Sequence, residues 1–138
     1  MKHIKSVLVF SLLILSINCF SEVNNLSSDE LLTAQQEGAI IIDIRTPEEW
    51  QELGTIPGAH KIMFFDQSRK PQVNEFLTKF NSLVTSKDQA IVLVCKSGNR
   101  TGVASKFLNE NLGYTHVSHL EKGMMDWIAK NHQVEKEK

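Results

Sequence analysis

Residues 90–100 read AIVLVCKSGNR, an apolar run followed at once by a short polar loop. The β-branched residues of the run predict a buried strand, and the pattern of residues 100–112 predicts a helix. Cys95 is therefore expected at the end of a strand, in a tight loop that opens a helix. We expect loop N–H groups and the helix dipole to converge there, and Lys96 and Arg100 add positive charge nearby. The sequence thus predicts a nucleophilic thiolate in an anion-binding loop.

The rest of the chain alternates between predicted helices and strands. Two capping boxes, Ser27 with Glu30 and Thr46 with Glu49, predict helix starts, and Pro47 occupies the first position of the second helix. Predicted strands cover residues 39–44, 61–64, 90–94 and 114–120, and predicted helices cover residues 27–38, 46–54, 73–83, 100–112 and 123–131. This alternation predicts an α/β fold, with a parallel sheet covered by helices on both faces.

A second candidate group of site residues ends the strand predicted at residues 39–44. In open parallel sheets, ligand sites lie beyond the carboxyl ends of the strands. Asp43 and Arg45 are at one such end and Cys95 is at another, so we expect them on the same side of the molecule. We interpret Asp43 and Arg45 as a structural ion pair that supports the neighbourhood of the loop.

The first residues resemble a targeting segment. Lys2 and Lys5 precede an apolar stretch at residues 7–17 that is short for a membrane span, which predicts a cleavable signal peptide over residues 1–21. We therefore expect a periplasmic or secreted protein with no stable membrane span after processing. The alternatives are a short membrane anchor and a lipoprotein lipidated at Cys19.

Residues 22–133 are predicted to form one domain, followed by a charged, solvated tail at residues 134–138. The formal net charge is −1, and no basic stripe suggests a nucleic-acid partner. Removal of the leader leaves Cys95 without a disulfide partner, which is unusual for a structural cysteine in an oxidising compartment. Reactivity is therefore the favoured role for Cys95, and the alternative is a buried apolar cysteine at a strand end.

Four blocks of the sequence resemble the rhodanese family, the sulfurtransferases with a single persulfide-forming cysteine. The blocks are residues 43–45, 48–59, 95–101 and 121–127, and the match spans residues 27–131. Two positions depart from the usual pattern, since Thr55 replaces a histidine and Lys122 replaces the first of two glycines. A signal peptide followed by one such domain resembles the small periplasmic rhodaneses of Gram-negative bacteria. The resemblance implies a central, mostly parallel sheet of about five strands flanked by helices on both faces.

The resemblance also implies a thiosulfate:cyanide type of chemistry. Cys95 would take sulfane sulfur from an anionic donor such as thiosulfate, hold it as a persulfide, and pass it to cyanide or to an external thiol. The implied donor-binding residues are Lys96, Ser97, Gly98, Asn99 and Arg100, and the implied supporting residues are Asp43, Arg45 and Thr101.

Two other functions stay open from the sequence. Phosphatase relatives on the same fold have one more residue between the cysteine and the arginine, whereas four residues separate Cys95 from Arg100 here. A phosphatase or arsenate reductase is therefore the less favoured enzyme, and a non-catalytic sulfur carrier or binding module is the alternative outside enzymes. No cofactor or metal is expected, because the sequence has no zinc pattern, phosphate loop or nucleotide fingerprint, and His116 and His119 would face opposite sides of a strand.

Overall fold

The structure is a computed structural model that describes residues 21–137. The predicted leader lies outside the described residues, apart from Ser21. Within residues 21–137, no helix is both long enough and apolar enough to cross a membrane.

All strands lie in one parallel sheet. The strands are β1 (Asn24–Leu26), β2 (Ile40–Asp43), β3 (His60–Lys61), β4 (Ile91–Val94) and β5 (Val117–Leu120). Their order across the sheet is β1-β5-β4-β2-β3, and every neighbouring pair is parallel. This topology confirms the predicted α/β fold, and it places β4 at the centre of the sheet.

Four helices connect these strands, and a fifth follows β5. They are α1 (Ser28–Gln36), α2 (Pro47–Leu53), α3 (Val73–Leu83), α4 (Asn99–Lys106) and α5 (Gly123–Ala129). Both predicted capping boxes form, at Ser27 for α1 and at Thr46 for α2. The helix predicted over residues 100–112 is α-helical only in its first part, because α4 continues as a π-helical segment, Phe107–Asn111. The amide of Asn109 in that segment donates to the Tyr114 carbonyl at 2.8 Å.

The core has two layers, one on each face of the sheet. One layer packs α3, α4 and the π-helical segment against Ile42 and Leu93, and its helical members include Phe76, Phe80 and Leu108. The other layer packs α1 and α5 against Ile41 and Val92, and its helical members include Leu31, Met124 and Trp127. Because both faces are covered, every residue of β4 is buried, which explains its unbroken apolar sequence.

Other parts of the fold also differ from the sequence prediction. Strand β1, which pairs with β5, was not predicted, since its sequence Asn-Asn-Leu has low strand propensity. The charged tail is also less detached than expected, because Glu135 forms an antiparallel bridge with Thr55 through two backbone hydrogen bonds of 2.8 and 2.9 Å. The Glu137 side chain pairs with Lys61.

Candidate active site

Cys95 directly follows β4 at the carboxyl edge of the sheet. The pairing of β2 with β4 aligns Asp43 with Val94, so the two strand ends that carry the candidate residues are adjacent. The Cys95 Sγ accepts a hydrogen bond from the Gly98 N–H at 3.2 Å and lies 3.4 Å from the Thr101 Oγ1. The side chain has no accessible surface, so an outside reactant contacts the sulfur only after the covering atoms move.

Gly98 gives the loop its tight turn. Its φ is +91°, a left-handed conformation that favours glycine, and it forms the N-cap of α4. A Cβ at this position would lie 1.9 Å from the carbonyl oxygen of Glu121. Glycine is therefore required here both by the backbone conformation and by close packing against the segment that joins β5 to α5.

The first turn of α5 holds the other side of the loop. The N–H groups of Met124 and Met125 donate to the carbonyls of Cys95 and Lys96 at 2.9 and 3.1 Å. Gly123 has a φ of +64°, and a Cβ there would lie 2.4 Å from the Lys96 carbonyl. These bonds turn the two loop carbonyls toward α5. Lys122 has a φ of −101°, which any residue adopts, so its replacement of a glycine causes no backbone strain.

Arg100 is bound by Glu49. Its guanidinium donates to the two carboxylate oxygens at 2.6 and 2.7 Å, and Glu49 also accepts from the Thr46 N–H at 3.0 Å. Burial raises the pKa of the Glu49 carboxyl, but the Arg100 hydrogen bonds, the Thr46 N–H and the Arg100 charge outweigh it and lower that pKa to about 2. Sequence reasoning interpreted Glu49 only as a helix cap and missed this second role.

Asp43 and Arg45 form a fully buried, two-pronged ion pair, with Arg45 Nε to Asp43 Oδ1 at 2.9 Å and Nη2 to Oδ2 at 2.7 Å. The pair also holds the middle and the C-terminal end of α2. The Trp50 indole donates to Asp43 at 3.1 Å, and the Arg45 guanidinium donates to the Gly54 carbonyl at 2.7 Å. The pair therefore fixes the helix that carries Glu49, and it makes no direct hydrogen bond to Cys95.

The remaining loop residues differ in exposure. The side chains of Lys96, Ser97 and Asn99 are exposed, whereas Gly98 is buried. A cleft of about 190 Å³ lies beside Arg100, and its lining also includes Arg69 and Asp66.

Thr101 links the cysteine to a histidine that sequence reasoning set aside. Its Oγ1 lies 2.9 Å from the Nδ1 of His119, whose Nε2 lies 2.8 Å from the Oδ1 of Asn25. His119 is buried in β5, whereas His116 lies exposed ahead of that strand. Among residues 21–137, no group of three or more His, Cys, Asp or Glu side chains is arranged to hold a metal ion.

Comparison with known proteins shows the family to which the chain belongs. The sequence matches the model of the rhodanese-like domain family over residues 27–130. The chain belongs to this family. A sulfurtransferase of Allochromatium vinosum is 31% identical over 107 residues, which cover 76% of this chain and 88% of that protein. An uncharacterised protein of Rickettsia conorii is 33% identical over 91 residues, which cover 63% of this chain and 70% of that protein.

Solved structures share the fold. The polysulfide-sulfur transferase homodimer of Wolinella succinogenes superposes with a TM-score of 0.65 at 19% identity, covering 83% of this chain and 80% of that one. A Rhodopseudomonas palustris protein described as a possible tyrosine phosphatase superposes with a TM-score of 0.59 at 23% identity, covering 82% and 85%. At these identities the likeness concerns the fold, and it confirms the rhodanese-like architecture.

Proposed function

We propose that this protein is a sulfurtransferase in which Cys95 carries sulfane sulfur as a persulfide. The observation that carries the proposal is the hydrogen bond of 3.2 Å from the Gly98 N–H to the Cys95 Sγ, at the start of α4. A backbone donor and a helix N-terminus aimed at a sulfur stabilise negative charge on it. Membership of the rhodanese-like family and the sulfurtransferase among its relatives support the same chemistry.

The proposed reaction has two steps. The Cys95 thiolate attacks the outer sulfur of a donor such as thiosulfate, the donor's S–S bond breaks, and sulfite leaves with the bonding electrons. The persulfide then passes its outer sulfur to cyanide or to a thiol. Residues 22–137 contain no second cysteine, so the acceptor thiol comes from another molecule.

Donor binding is assigned to the exposed part of the loop. The charge of Arg100 is paired with Glu49, so this arginine positions the loop and α2. Lys96 and Ser97 are exposed beside the buried sulfur, and they supply the charge and the hydroxyl that an anionic donor needs. The cleft that contains Arg69 lies on the Arg100 side of the loop.

We further propose that the protein is exported. Lys2 and Lys5 followed by the apolar residues 7–17 support a signal peptide. Expression of the full chain in a Gram-negative host, followed by cell fractionation and intact-mass measurement, tests this. Cleavage after residue 21 and recovery in the periplasm are expected, and an unprocessed chain in the cytoplasm would contradict export.

The deciding experiment is intact-mass measurement of the purified full chain carrying Cys19→Ser, before and after incubation with thiosulfate. A gain of one sulfur atom is expected, followed by loss of that atom and production of thiocyanate on addition of cyanide. Cys95→Ser in the same background is the control and should gain no mass.

Two other outcomes would replace the proposal. Hydrolysis of an aryl phosphate without any mass gain from thiosulfate would favour the phosphatase. A chain purified with persulfide already on Cys95 that neither turns over thiosulfate nor yields thiocyanate would favour the sulfur carrier.

A further inference from the structure

His119 is connected to the candidate nucleophile through a continuous chain of side chains. Cys95 Sγ lies 3.4 Å from Thr101 Oγ1, which lies 2.9 Å from His119 Nδ1. His119 Nε2 lies 2.8 Å from Asn25 Oδ1. These four residues come from the Cys95 loop, α4, β5 and β1, so the chain exists only in the folded protein.

The Asn25 amide oxygen at His119 Nε2 sets the order of donors and acceptors along this chain. Because the Asn25 Oδ1 is an acceptor, the His119 Nε2 carries a hydrogen, and in the neutral ring this leaves Nδ1 as an acceptor. The Thr101 hydroxyl then donates to Nδ1, and its oxygen is free to accept from the Cys95 thiol. The Gly98 carbonyl, 3.1 Å from the same hydroxyl, is the competing acceptor, and the bond to Nδ1 is the shorter one.

We propose that His119 is a positioning residue for the Cys95 sulfur, holding the thiol proton through Thr101 so that the sulfur is kept as a thiolate. The S–H bond of Cys95 breaks as its proton forms an O–H bond with Thr101, and the original hydroxyl proton of Thr101 moves to His119 Nδ1. The products are a thiolate, an intact hydroxyl and an imidazolium, and no group is oxidised or reduced. The new hydroxyl proton points at the thiolate, so every hydrogen bond of the chain is kept.

The surroundings of the ring determine how far this transfer proceeds. Burial lowers the pKa of His119, and the charge of Glu121 acts in the opposite direction. The other charged groups nearby are Glu22, Lys106 and Glu110, which line the same groove of about 750 Å³ as His119. Since burial disfavours a lone imidazolium, the protonated ring depends on the thiolate charge as its partner.

This inference rests on the proposed function only for its biological purpose. In sulfur transfer, the persulfide that replaces the thiolate is also negative, so the same imidazolium balances both states. The proton relay itself is a property of the resting thiol. It is therefore testable without any sulfur donor.

The test is the pH profile of Cys95 thiolate formation in the full chain carrying Cys19→Ser. Thiolate ultraviolet absorbance and the rate of alkylation by iodoacetamide are two independent readouts. At about pH 7, His119→Gln and Thr101→Val should each slow alkylation by about threefold or more and move the profile to higher pH. Combining them should add nothing further, because both break one chain.

Three further variants sharpen the test. His116→Gln removes an exposed histidine outside the chain, and its profile should match that of the parent. Thr101→Ser keeps the hydroxyl, so its profile should lie nearer to the parent than to Thr101→Val. Asn25→Asp adds a carboxylate at His119 Nε2, which favours the imidazolium and should raise the thiolate fraction at about pH 7. Asn25 is exposed, so this variant keeps the core intact even where His119→Gln does not fold.

A folded His119→Gln variant with the parent profile would overturn the relay, and so would an Asn25→Asp variant without any shift. Neither result bears on sulfur transfer, because no donor is present. Conversely, an intact relay in a chain that gains no sulfur from thiosulfate would reject the proposed function and leave the role of His119 standing.

Discussion

Glu49 and Arg100, 51 positions apart in the sequence, are joined by a two-pronged ion pair that ties α2 to the start of α4. The side chains are only 19% and 10% exposed, so the pair is shielded from solvent on most sides. The hydrogen bonds that Arg100 donates to Glu49 raise the pKa of Arg100, which keeps its charge fixed. The arginine of the loop therefore tethers α2 to α4, and Lys96, which directly follows Cys95 in the sequence, is an exposed cation of the loop.

This pair predicts a specific pH dependence of stability. The pKa of Glu49 is lowered from 4.5 to about 2 in the folded protein. The ionised carboxylate therefore stabilises the fold at pH values above the pKa of the unfolded chain. That contribution should be complete above about pH 5 and lost as the pH falls to about 2. Glu49→Gln should destabilise the protein by about 2 kcal/mol near neutral pH, and the difference from the parent should shrink on acidification.

Urea unfolding of the parent and of Glu49→Gln across this pH range measures the effect. Glu52→Gln, an exposed position on the same helix, is the matched control and should change stability by less than about 0.5 kcal/mol. A constant difference between parent and Glu49→Gln from neutral to acid pH would show that the carboxylate charge does not stabilise the fold.

The close contact of Gly123 with the Cys95 loop predicts that Gly123→Ala slows persulfide formation. Gly113→Ala is the matched control. Gly123→Ala would place a Cβ 2.4 Å from the Lys96 carbonyl, whereas Gly113, with a φ of +76°, has nothing within 4 Å of an added Cβ. Both substitutions cost about 1 kcal/mol of backbone strain. Only Gly123→Ala displaces the Cys95 loop.

Persulfide formation measured by intact mass should therefore fall by about tenfold or more in Gly123→Ala, since a displacement of about an ångström at a reacting group has effects of that size. Gly113→Ala should keep the parent rate despite the thermal stability that it loses to its own backbone strain. Equal rates in the two variants would mean that the contact between α5 and the loop does not position the sulfur.

The elements of the fold differ in how well the sequence predicts them. The strand, the cysteine loop and the helix start at residues 90–100 were predictable, because an apolar run, a glycine and a helix boundary are local signals. The π-helical segment Phe107–Asn111 was not, since its spacing fits an α-helix and Asn109 is fixed by a contact with Tyr114. The boundary of β5 was misplaced for a related reason, as Tyr114 packs in the core without extending the strand.

The residues of the candidate site also differ in how well the sequence predicts them. Cys95 and its loop follow from consecutive residues, whereas the partners Glu49, His119 and Asn25 come from distant elements. Glu49 had a sufficient local interpretation as a cap and His119 as one residue of a strand, whereas Asn25 lies in a strand that was not predicted. The folded chain alone reveals that these side chains connect to Arg100 and Thr101 beside the cysteine loop.

The buried pair of Asp43 and Arg45 leads to the last prediction. Asp43→Asn leaves the Arg45 guanidinium buried without its counter-charge, which should cost about 3–5 kcal/mol of unfolding free energy. Lys130→Gln, which removes an exposed ion pair with Asp126, is the control and should cost less than about 0.5 kcal/mol. Urea unfolding measures both, and a loss below about 1 kcal/mol in Asp43→Asn would contradict the assignment.

The same substitution tests how the pair acts on the site. Since Asp43 receives the Trp50 indole and Arg45 holds the Gly54 carbonyl, the pair affects the loop only by fixing α2 and Glu49. Asp43→Asn and Glu49→Gln should then slow persulfide formation by less in combination than the product of their separate effects. Fully independent effects would mean that the buried pair influences Cys95 without acting through Glu49. The described structure argues against this, because it contains no direct hydrogen bond between Cys95 and this pair.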